Sequence, residues 1–269
     1  MSRYAAVLLI PLFATGCRNL DPAPKALDRL FPWFFTSIEE GTDEDLALGF
    51  RNLHKAGDIA QLDDTVDGLI SDLSKDDLRS IGLGGKSPSK APGVFMLNTV
   101  KCSLGQLEKV LAHKAQNDLY PDAYDTYDRS FTSNKEAYFD RDETTLTWDV
   151  DYTATIVGKS YRSDIKGMLR YIPDIDEEET PFGPMLVARA YIPRPAEFES
   201  GKTTLNQDYQ IEMYYKKGRG QVVHAYGLWR EADFGGGLNS ESEAAQRILL
   251  NELAAWDEET EDLCAAGRP

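Results

Sequence analysis

The sequence contains few of the residues that usually carry out chemistry in proteins. Only three of its 269 residues are histidines and three are cysteines, and none of these stands in a CxxC or HExxH arrangement. A GxSxG motif is also absent. Zinc sites, thiol redox motifs and the usual serine nucleophile are therefore without support. We assign no catalytic residue, metal ion or cofactor from the sequence.

Basic residues are also scarce. The chain has 29 Lys and Arg against 45 Asp and Glu, a formal net charge of −16. Such a surface repels phosphate backbones, so we expect no nucleic-acid partner. The carboxylates at positions 174–179 lie between two predicted strands and lack the spacing of an EF-hand loop, so we expect them to be solvated rather than to bind calcium.

The N-terminus is the most distinctive segment. Arg3 is followed by an apolar run from Ala5 to Ala14, too short to span a bilayer but as long as the hydrophobic part of a signal peptide. The run leads into Ala14-Thr15-Gly16-Cys17, which resembles the lipobox of bacterial lipoproteins, although Leu is usual where Ala14 stands. The alternatives are a plain secreted protein with an unmodified Cys17, or a buried strand of a cytosolic domain.

The lipoprotein resemblance implies a location and an anchor. It makes residues 1–16 a signal peptide, Cys17 the acylated residue that carries palmitate or a similar chain, and residues 17–26 a polar tether. Arg18 follows the cysteine, where Asp often marks retention in the inner membrane of Gram-negative bacteria. We therefore expect a lipid-anchored protein of the outer membrane, whose acyl chains provide the attachment.

Residues 27–83 are predicted to be helical. Apolar residues recur at helical spacing from Leu27 to Ile38, although Pro32 is expected to break or restart this helix. Thr42 has the properties of an N-cap for a second helix that ends near Gly57, and Ser74 begins a third. Residues 82–93 are rich in Gly, Pro and Ser and are predicted to form a loop.

The remaining chain changes to an alternating pattern. After a strand at 94–100 and a helix at 104–115, apolar and polar residues alternate with a period of two from Thr145 onward. We predict an antiparallel meander with strands at 146–156, 161–172, 185–192, 209–216 and 221–230. A capping-box pattern at Ser240 then begins an amphipathic helix that continues to Leu263.

This order of elements resembles the helix-grip fold of the START and polyketide-cyclase-like (SRPBCC) superfamily. The resemblance implies an α+β fold over residues 94–269, in which a curved antiparallel sheet grips the long C-terminal helix; the helical segment 27–83 has no counterpart in the minimal family fold. Members enclose an apolar cavity between sheet and helix, many bind lipids or other hydrophobic molecules, and some are cyclases. An up-and-down barrel with eight consecutive strands is the alternative.

Seven residues are candidates for lining such a cavity. If Lys216 paired with Gln221 across the intervening loop, Met213 would face His224 and share its face of the sheet. His224 would then point inward, either as a hydrogen-bonded core histidine or as a polar anchor for a ligand. Arg189 would face solvent or the cavity mouth. The candidate ligand-binding residues are Trp148, Tyr152, Arg189, Met213, Tyr215, His224 and Tyr226.

Two cysteines remain if Cys17 is acylated. In a helix-grip fold the end of the last helix could approach an edge strand, which would bring Cys264 near Cys102. We predict a disulfide between them, because the expected compartment is oxidising. The alternative is a pair of buried free thiols.

Three functions are consistent with these features. The first is a module that binds a hydrophobic small molecule or lipid. The second is a cyclase- or hydrolase-type enzyme in which His224 acts as general acid or base, with Tyr226, Tyr215 or Arg189 as partner. The third is a protein-interaction module that docks through the helical segment 27–83, where Trp33, Phe34 and Phe35 could contact a membrane or a partner not identified by the sequence.

Overall fold

A nine-stranded antiparallel sheet organises the chain. The computed structural model describes residues 21–59, 65–156, 158–175, 183–199, 203–235 and 239–269; the predicted signal peptide and Cys17 lie outside these residues. The elements are α1 (Leu27–Glu40), α2 (Asp43–Ile59), β1 (Val66–Ile70), α3 (Lys75–Ser80), β2 (Gly93–Val100), α4 (Leu104–Leu111), α5 (Gln116–Leu119), β3 (Thr126–Phe131), α6 (Lys135–Phe139), β4 (Thr145–Ile156), β5 (Lys159–Ile172), β6 (Met185–Tyr191), β7 (Glu197–Phe198), β8 (Thr204–Gly218), β9 (Gln221–Asp233) and α7 (Glu243–Ala265).

The strand order is β1-β2-β9-β8-β6-β5-β4-β3, and the short β7 pairs with the beginning of β5. Every pairing is antiparallel. The predicted α+β class, with N-terminal helices, an antiparallel sheet and a long C-terminal helix, is confirmed. Within the described residues, no helix is both long enough and apolar enough to cross a membrane.

The N-terminal helices cover one face of the sheet, which we call the N-terminal face. Phe31, Phe34 and Phe35 of α1 are fully buried and share a core with strand residues such as Ile211 and Trp229. The ring of Phe35 meets that of Trp229 edge to face at 5.7 Å. Two of the three aromatic residues considered for docking therefore belong to the core, since an aromatic ring gains more from such burial than from solvent.

Helix α1 continues through Pro32 without a break. A proline inside a helix leaves the carbonyl four residues earlier without its usual donor. Here that carbonyl belongs to Asp28, and it accepts a hydrogen bond from the backbone N–H of Ser71 at 3.1 Å. The expectation that Pro32 breaks or restarts this helix is wrong, because a neighbouring segment supplies the missing donor.

The segment 27–83 is not wholly helical. Its residues Val66–Ile70 form β1, an edge strand that pairs with β2 and sets Gly68 opposite Phe95. A side chain at Gly68 would lie 2.9 Å from the Phe95 ring, so the close packing needs glycine there. This short strand was missed, and the segment shares both the core and the sheet with the rest of the chain.

Helices α4 and α7 cover the opposite face of the sheet, which we call the C-terminal face. Leu249 of α7 packs with Val94, Tyr226 and Leu228. The helix begins at Glu243 with the Ser242 side chain as its N-cap, two residues later than predicted. The Ser240 hydroxyl instead accepts a hydrogen bond from the N–H of Ala232 at 2.7 Å and thereby ties the preceding loop to β9.

The last turns of α7 are fastened to the start of α4. Cys102 and Cys264 form a disulfide with their Cα atoms 5.4 Å apart. The side chain of Gln106 donates to the carbonyl of Cys264 at 3.1 Å, and the backbone N–H of Lys101 donates to Glu261 at 2.9 Å. These bonds hold the C-terminal end of α7 against the end of β2.

The disulfide leads to a direct test. In a chain carrying Cys17→Ser, thiol titration after denaturation without reductant should find no free thiol, and two after reduction. Replacing both Cys102 and Cys264 by Ser should lower the free energy of unfolding by about 2–5 kcal/mol, the usual cost of losing a native disulfide that closes a long loop. Two reactive thiols in the unreduced protein would show that the bridge does not form.

Candidate functional site

The pairing of β8 with β9 decides which face each candidate residue occupies. Lys216 pairs with Val222, not with Gln221, because a bulge at Lys217 separates this pair from Gly218 and Gln221. A shift of one residue in register moves every side chain of a strand to the other face. Met213 therefore lies opposite Ala225, in the core under the N-terminal helices.

Tyr215 follows Met213 to the N-terminal face, where its ring meets that of Phe50 of α2 at 6.2 Å. The prediction that Met213 and Tyr215 share a face with His224 and Tyr226 is wrong. His224 is instead opposite Tyr214, and Tyr226 is opposite Glu212. The side chain of Glu212 therefore also lies on the C-terminal face.

Arg189 also lies on the N-terminal face, since it pairs with Ile211. Its guanidinium donates to the carbonyl of Phe35 at 2.8 Å and forms an ion pair with Glu39 at 3.0 Å. The side chain is 4% exposed, so it faces neither solvent nor a cavity between the sheet and α7. An open cleft of about 150 Å³ adjoins it, lined by charged residues such as Glu39 and Lys166 together with uncharged ones such as Trp148.

Trp148, Tyr152, His224 and Tyr226 lie together on the C-terminal face. Of these, Trp148 is held between its neighbours. Its indole covers Gly167, where a Cβ atom would come within 2.2 Å of the ring nitrogen, and the guanidinium of Arg129 stacks above it at 4.4 Å. Trp148 therefore forms part of the buried core beneath α4.

A row of aromatic side chains crosses the C-terminal face from α7 to β5. We call Trp256, Tyr124, Tyr152 and Tyr161 the aromatic row. Successive ring centroids are 6.0, 5.7 and 5.7 Å apart, in edge-to-face contact. The ring of Phe198 on β7 stacks on the last member at 5.2 Å. Such rings supply a wide apolar surface with polar hydroxyls at its margins.

His224 lies at one side of this row, between two carboxylates. Its Nδ1 is 2.8 Å from Asp257 of α7, and its Nε2 is 3.4 Å from Glu212 without the alignment of a hydrogen bond. Asn98 of β2 donates to the second oxygen of Asp257 at 3.0 Å. We call Asn98, Glu212, His224 and Asp257 the histidine cluster. It connects α7 to three adjacent strands.

Two opposing effects determine the charge of His224. Burial lowers its pKa, but Asp257 and Glu212 together outweigh burial and raise the pKa to about 9. The imidazole is therefore protonated at neutral pH and is not available as a general base. Of the partners considered for an enzyme, Tyr215 and Arg189 lie on the other face, whereas Tyr226 shares the face of His224 with its ring centroid 5.8 Å away.

Arg230 and Asp208 form a second polar group on the C-terminal face, which we call the arginine pair. Nε of Arg230 lies 2.5 Å from Oδ2 of Asp208, and Oδ1 of Asp208 accepts from Gln210 at 2.8 Å. The terminal nitrogens of this guanidinium make no hydrogen bond within the described residues, and the side chain stays 15% exposed. An arginine on an inward face with free donors is equipped to hold a ligand.

Several apolar side chains near the arginine pair are incompletely covered. Tyr161 and Ile165 of β5 and Leu253 and Trp256 of α7 are only partly buried, although they belong to the inner clusters of this face. We call this partly covered surface between the sheet and α7 the inner groove. Its walls are the aromatic row and Tyr226, and the arginine pair lies at one end.

The sequence interpretation missed Glu212, Asp257, Asp208 and Arg230. The inward position of Asp257 could have been predicted, because this residue continues the four-residue spacing of Leu249 and Leu253 along the apolar stripe of α7. The other three become visible only when the register of β8 with β9 is known. Within the described ranges, no group of three His, Cys, Asp or Glu side chains is placed to hold a metal ion.

No protein-family model and no curated protein matches the sequence. Among solved structures, the lipid transfer and protein localization domain of human StarD13 (DLC2) is similar with a TM-score of 0.40 at 13% identity, covering 79% of this chain and 93% of that one. A START superfamily protein from Mycobacterium smegmatis has a TM-score of 0.40 at 7% identity, covering 65% and 97%. Human STARD10 has a TM-score of 0.40 at 10% identity, covering 73% and 82%. We base no inference about function on likenesses this distant.

The histidine cluster predicts a loss of stability at alkaline pH. The pKa of His224, about 9, lies above its ordinary value of 6.5. Its contribution is therefore complete below about pH 6.5 and is lost as the pH rises through about 9, by up to about 3 kcal/mol at 1.4 kcal/mol per pKa unit. Urea unfolding at pH 6 and pH 9.5 measures this loss.

The matched variants are His224→Gln and His113→Gln. The first should be less stable than the wild type at pH 6 and should lose less stability on going to pH 9.5. His113, whose pKa is lowered by burial and by Lys135, lies outside the histidine cluster, so its variant should keep the wild-type loss of stability at alkaline pH. An unchanged pH dependence in His224→Gln would contradict the assignment.

Proposed function

We propose that this chain is a binding module that holds a hydrophobic molecule with one polar end in the inner groove. The observation that carries the proposal is the accessible guanidinium of Arg230 on an inward-facing strand position, at the end of the aromatic row. Small-molecule sites commonly combine apolar and aromatic walls with a few polar groups that fix the orientation of the ligand. The inner groove has this composition.

The walls match the two parts of such a ligand. Tyr152 and Tyr161 offer ring faces and edges for an apolar body, and their hydroxyls are 3.5 Å apart. Burial opposes the charge of Arg230, but Asp208 more than offsets this and raises its pKa. Arg230 therefore remains a charged donor inside the groove and supplies the fixed polar contact.

Helix α7 provides a route for entry. Its residues 256–264 are held by the disulfide, by the Asp257–His224 contact and by a hydrogen bond of 2.8 Å between Tyr120 and Thr260. Residues 243–255 make no hydrogen bond or ion pair to the sheet within the described part of the chain and pack through apolar side chains such as Leu249. The first half of α7 can therefore move outward while the second half stays in place.

Binding can be tested with the purified full-length chain. Native mass spectrometry should detect a co-purified hydrophobic molecule, and the neutral dye Nile red should bind in a 1:1 ratio and be displaced by 1-dodecanol. Arg230→Met should weaken the alcohol about tenfold or more, since the loss of a hydrogen bond to a charged group costs about 1.5–3 kcal/mol.

Arg162→Met is the matched control, because Arg162 also pairs with an aspartate across the sheet but is exposed on the other face. It should bind the dye and the alcohol as the wild type does. A folded wild-type chain that carries no ligand and takes up neither probe would contradict the proposal.

We further propose that the domain is attached to the outer membrane through an acyl group on Cys17. The lipobox-like ending Ala14-Thr15-Gly16-Cys17, the preceding apolar run and Arg18 support this. Asp21-Pro22-Ala23-Pro24 precedes α1, which begins at Leu27, so the anchor and the domain are close together in sequence.

Metabolic labelling with an alkyne analogue of palmitate in a Gram-negative host tests the anchor. The wild-type chain should be labelled and should fractionate with the outer membrane, whereas Cys17→Ser should be neither labelled nor membrane-bound. Asn19→Ser, two residues away, is the control and should behave as the wild type does. Recovery of unlabelled wild-type protein in the soluble fraction would refute the anchor.

A further inference from the structure

The positive charge of Arg230 is already balanced by carboxylates. Oδ2 of Asp208 contacts Nε of the guanidinium at 2.5 Å, and its other oxygen is occupied by Gln210. Partial burial raises the pKa of Glu252 on the overlying helix α7, and the charge of Arg230 offsets part of this rise. The guanidinium thus contacts one carboxylate from β8 and interacts electrostatically with a second from α7.

The rest of the inner groove adds no positive charge near this point. From β5 and β9 the neighbours are the neutral hydroxyls of Tyr161 and Tyr226, which interact electrostatically with Arg230. The histidine cluster contributes two carboxylates and one imidazolium. Arg129 lies farther away, where it donates to the carbonyl of Leu111 at 2.6 Å and to the hydroxyl of Tyr127. Carboxylates therefore outnumber cations in the groove.

The excess of carboxylates affects charged and uncharged ligand ends differently. A ligand carboxylate placed at Arg230 would face the buried carboxylate of Asp208 at close range, where burial strengthens repulsion, and the exposed Glu252 would add to that repulsion. A hydroxyl, ketone or ester oxygen would accept a hydrogen bond from the terminal nitrogens of Arg230 without that repulsion. The desolvation of an uncharged oxygen also costs far less than that of an anion.

We propose that the polar end of the ligand is an uncharged hydrogen-bond acceptor, and that the groove selects alcohols, ketones or esters over fatty-acid anions. This rests on the proposed binding function and adds the chemical class of the ligand. Asp208 and Glu252 are then specificity determinants, because they reject the anion rather than bind the alcohol.

Competition against Nile red on the full-length chain at pH 8 tests the selectivity. The competitors are 1-dodecanol, methyl dodecanoate and sodium dodecanoate, all below the concentrations at which they aggregate. The alcohol and the ester should each bind at least about tenfold more tightly than the anion, a ratio that corresponds to about 1.4 kcal/mol.

The variants Glu252→Gln and Asp208→Asn locate the source of the selectivity. Each removes one carboxylate but keeps the size of the side chain, so each should shift the ratio of anion to alcohol affinity toward dodecanoate by severalfold. Glu258→Gln is the matched control, since Glu258 is exposed on the same helix; it should keep the wild-type ratio. Glu252, itself exposed to solvent, can be replaced with little risk to folding.

The outcomes are distinguishable. If dodecanoate binds as tightly as the alcohol, the selectivity is refuted and the binding function stands. If the alcohol is preferred but neither Glu252→Gln nor Asp208→Asn changes the ratio, the charge balance around Arg230 is not its cause and the inference fails. If no probe binds to the folded chain, the binding function and the ligand class fail together.

Discussion

The structure depends on one constraint: its sheet is apolar on both faces, and each face must be covered to remove that surface from water. The N-terminal face is closed by α1 and α2, whose phenylalanines fill the space above β8 and β9. The C-terminal face is covered by separate elements, α4 over one part and α7 over another. The incomplete cover of this second face is what leaves an inner groove between strands and helix.

The two halves of α7 are attached to the C-terminal face by different kinds of contact. The disulfide and the histidine cluster fix its second half, and the protonated His224 satisfies Asp257 of the helix and Glu212 of the strand together. The first half relies on apolar contacts near Leu249 and spans the side of the groove where Arg230 lies. Firm attachment at one end and weaker packing at the other are compatible with ligand entry without loss of the fold.

Much of this architecture could be predicted from the sequence, because β4, β5 and β9 are long and their residues alternate or are continuously apolar. The disulfide partners followed from the expected position of α7.

The faces of Met213 and Tyr215 could not be predicted, since the bulge at Lys217 shifts the register by one residue and no local pattern marks it. The inward position of Glu212 could not be predicted for the same reason: a carboxylate is usually found outside, yet the hydroxyl of Tyr214 and the imidazolium of His224 satisfy it inside. The short strand β1 carries a glycine and only five residues, too little for a periodic signal.

The most direct test of the central claim is a crystal structure of the chain grown with 1-dodecanol. We expect one alcohol molecule between the sheet and α7, with its chain against Tyr152 and Tyr161 and its oxygen within hydrogen-bond distance of a terminal nitrogen of Arg230. A groove closed by these same side chains, or an alcohol bound only on the N-terminal face beside Arg189, would contradict it.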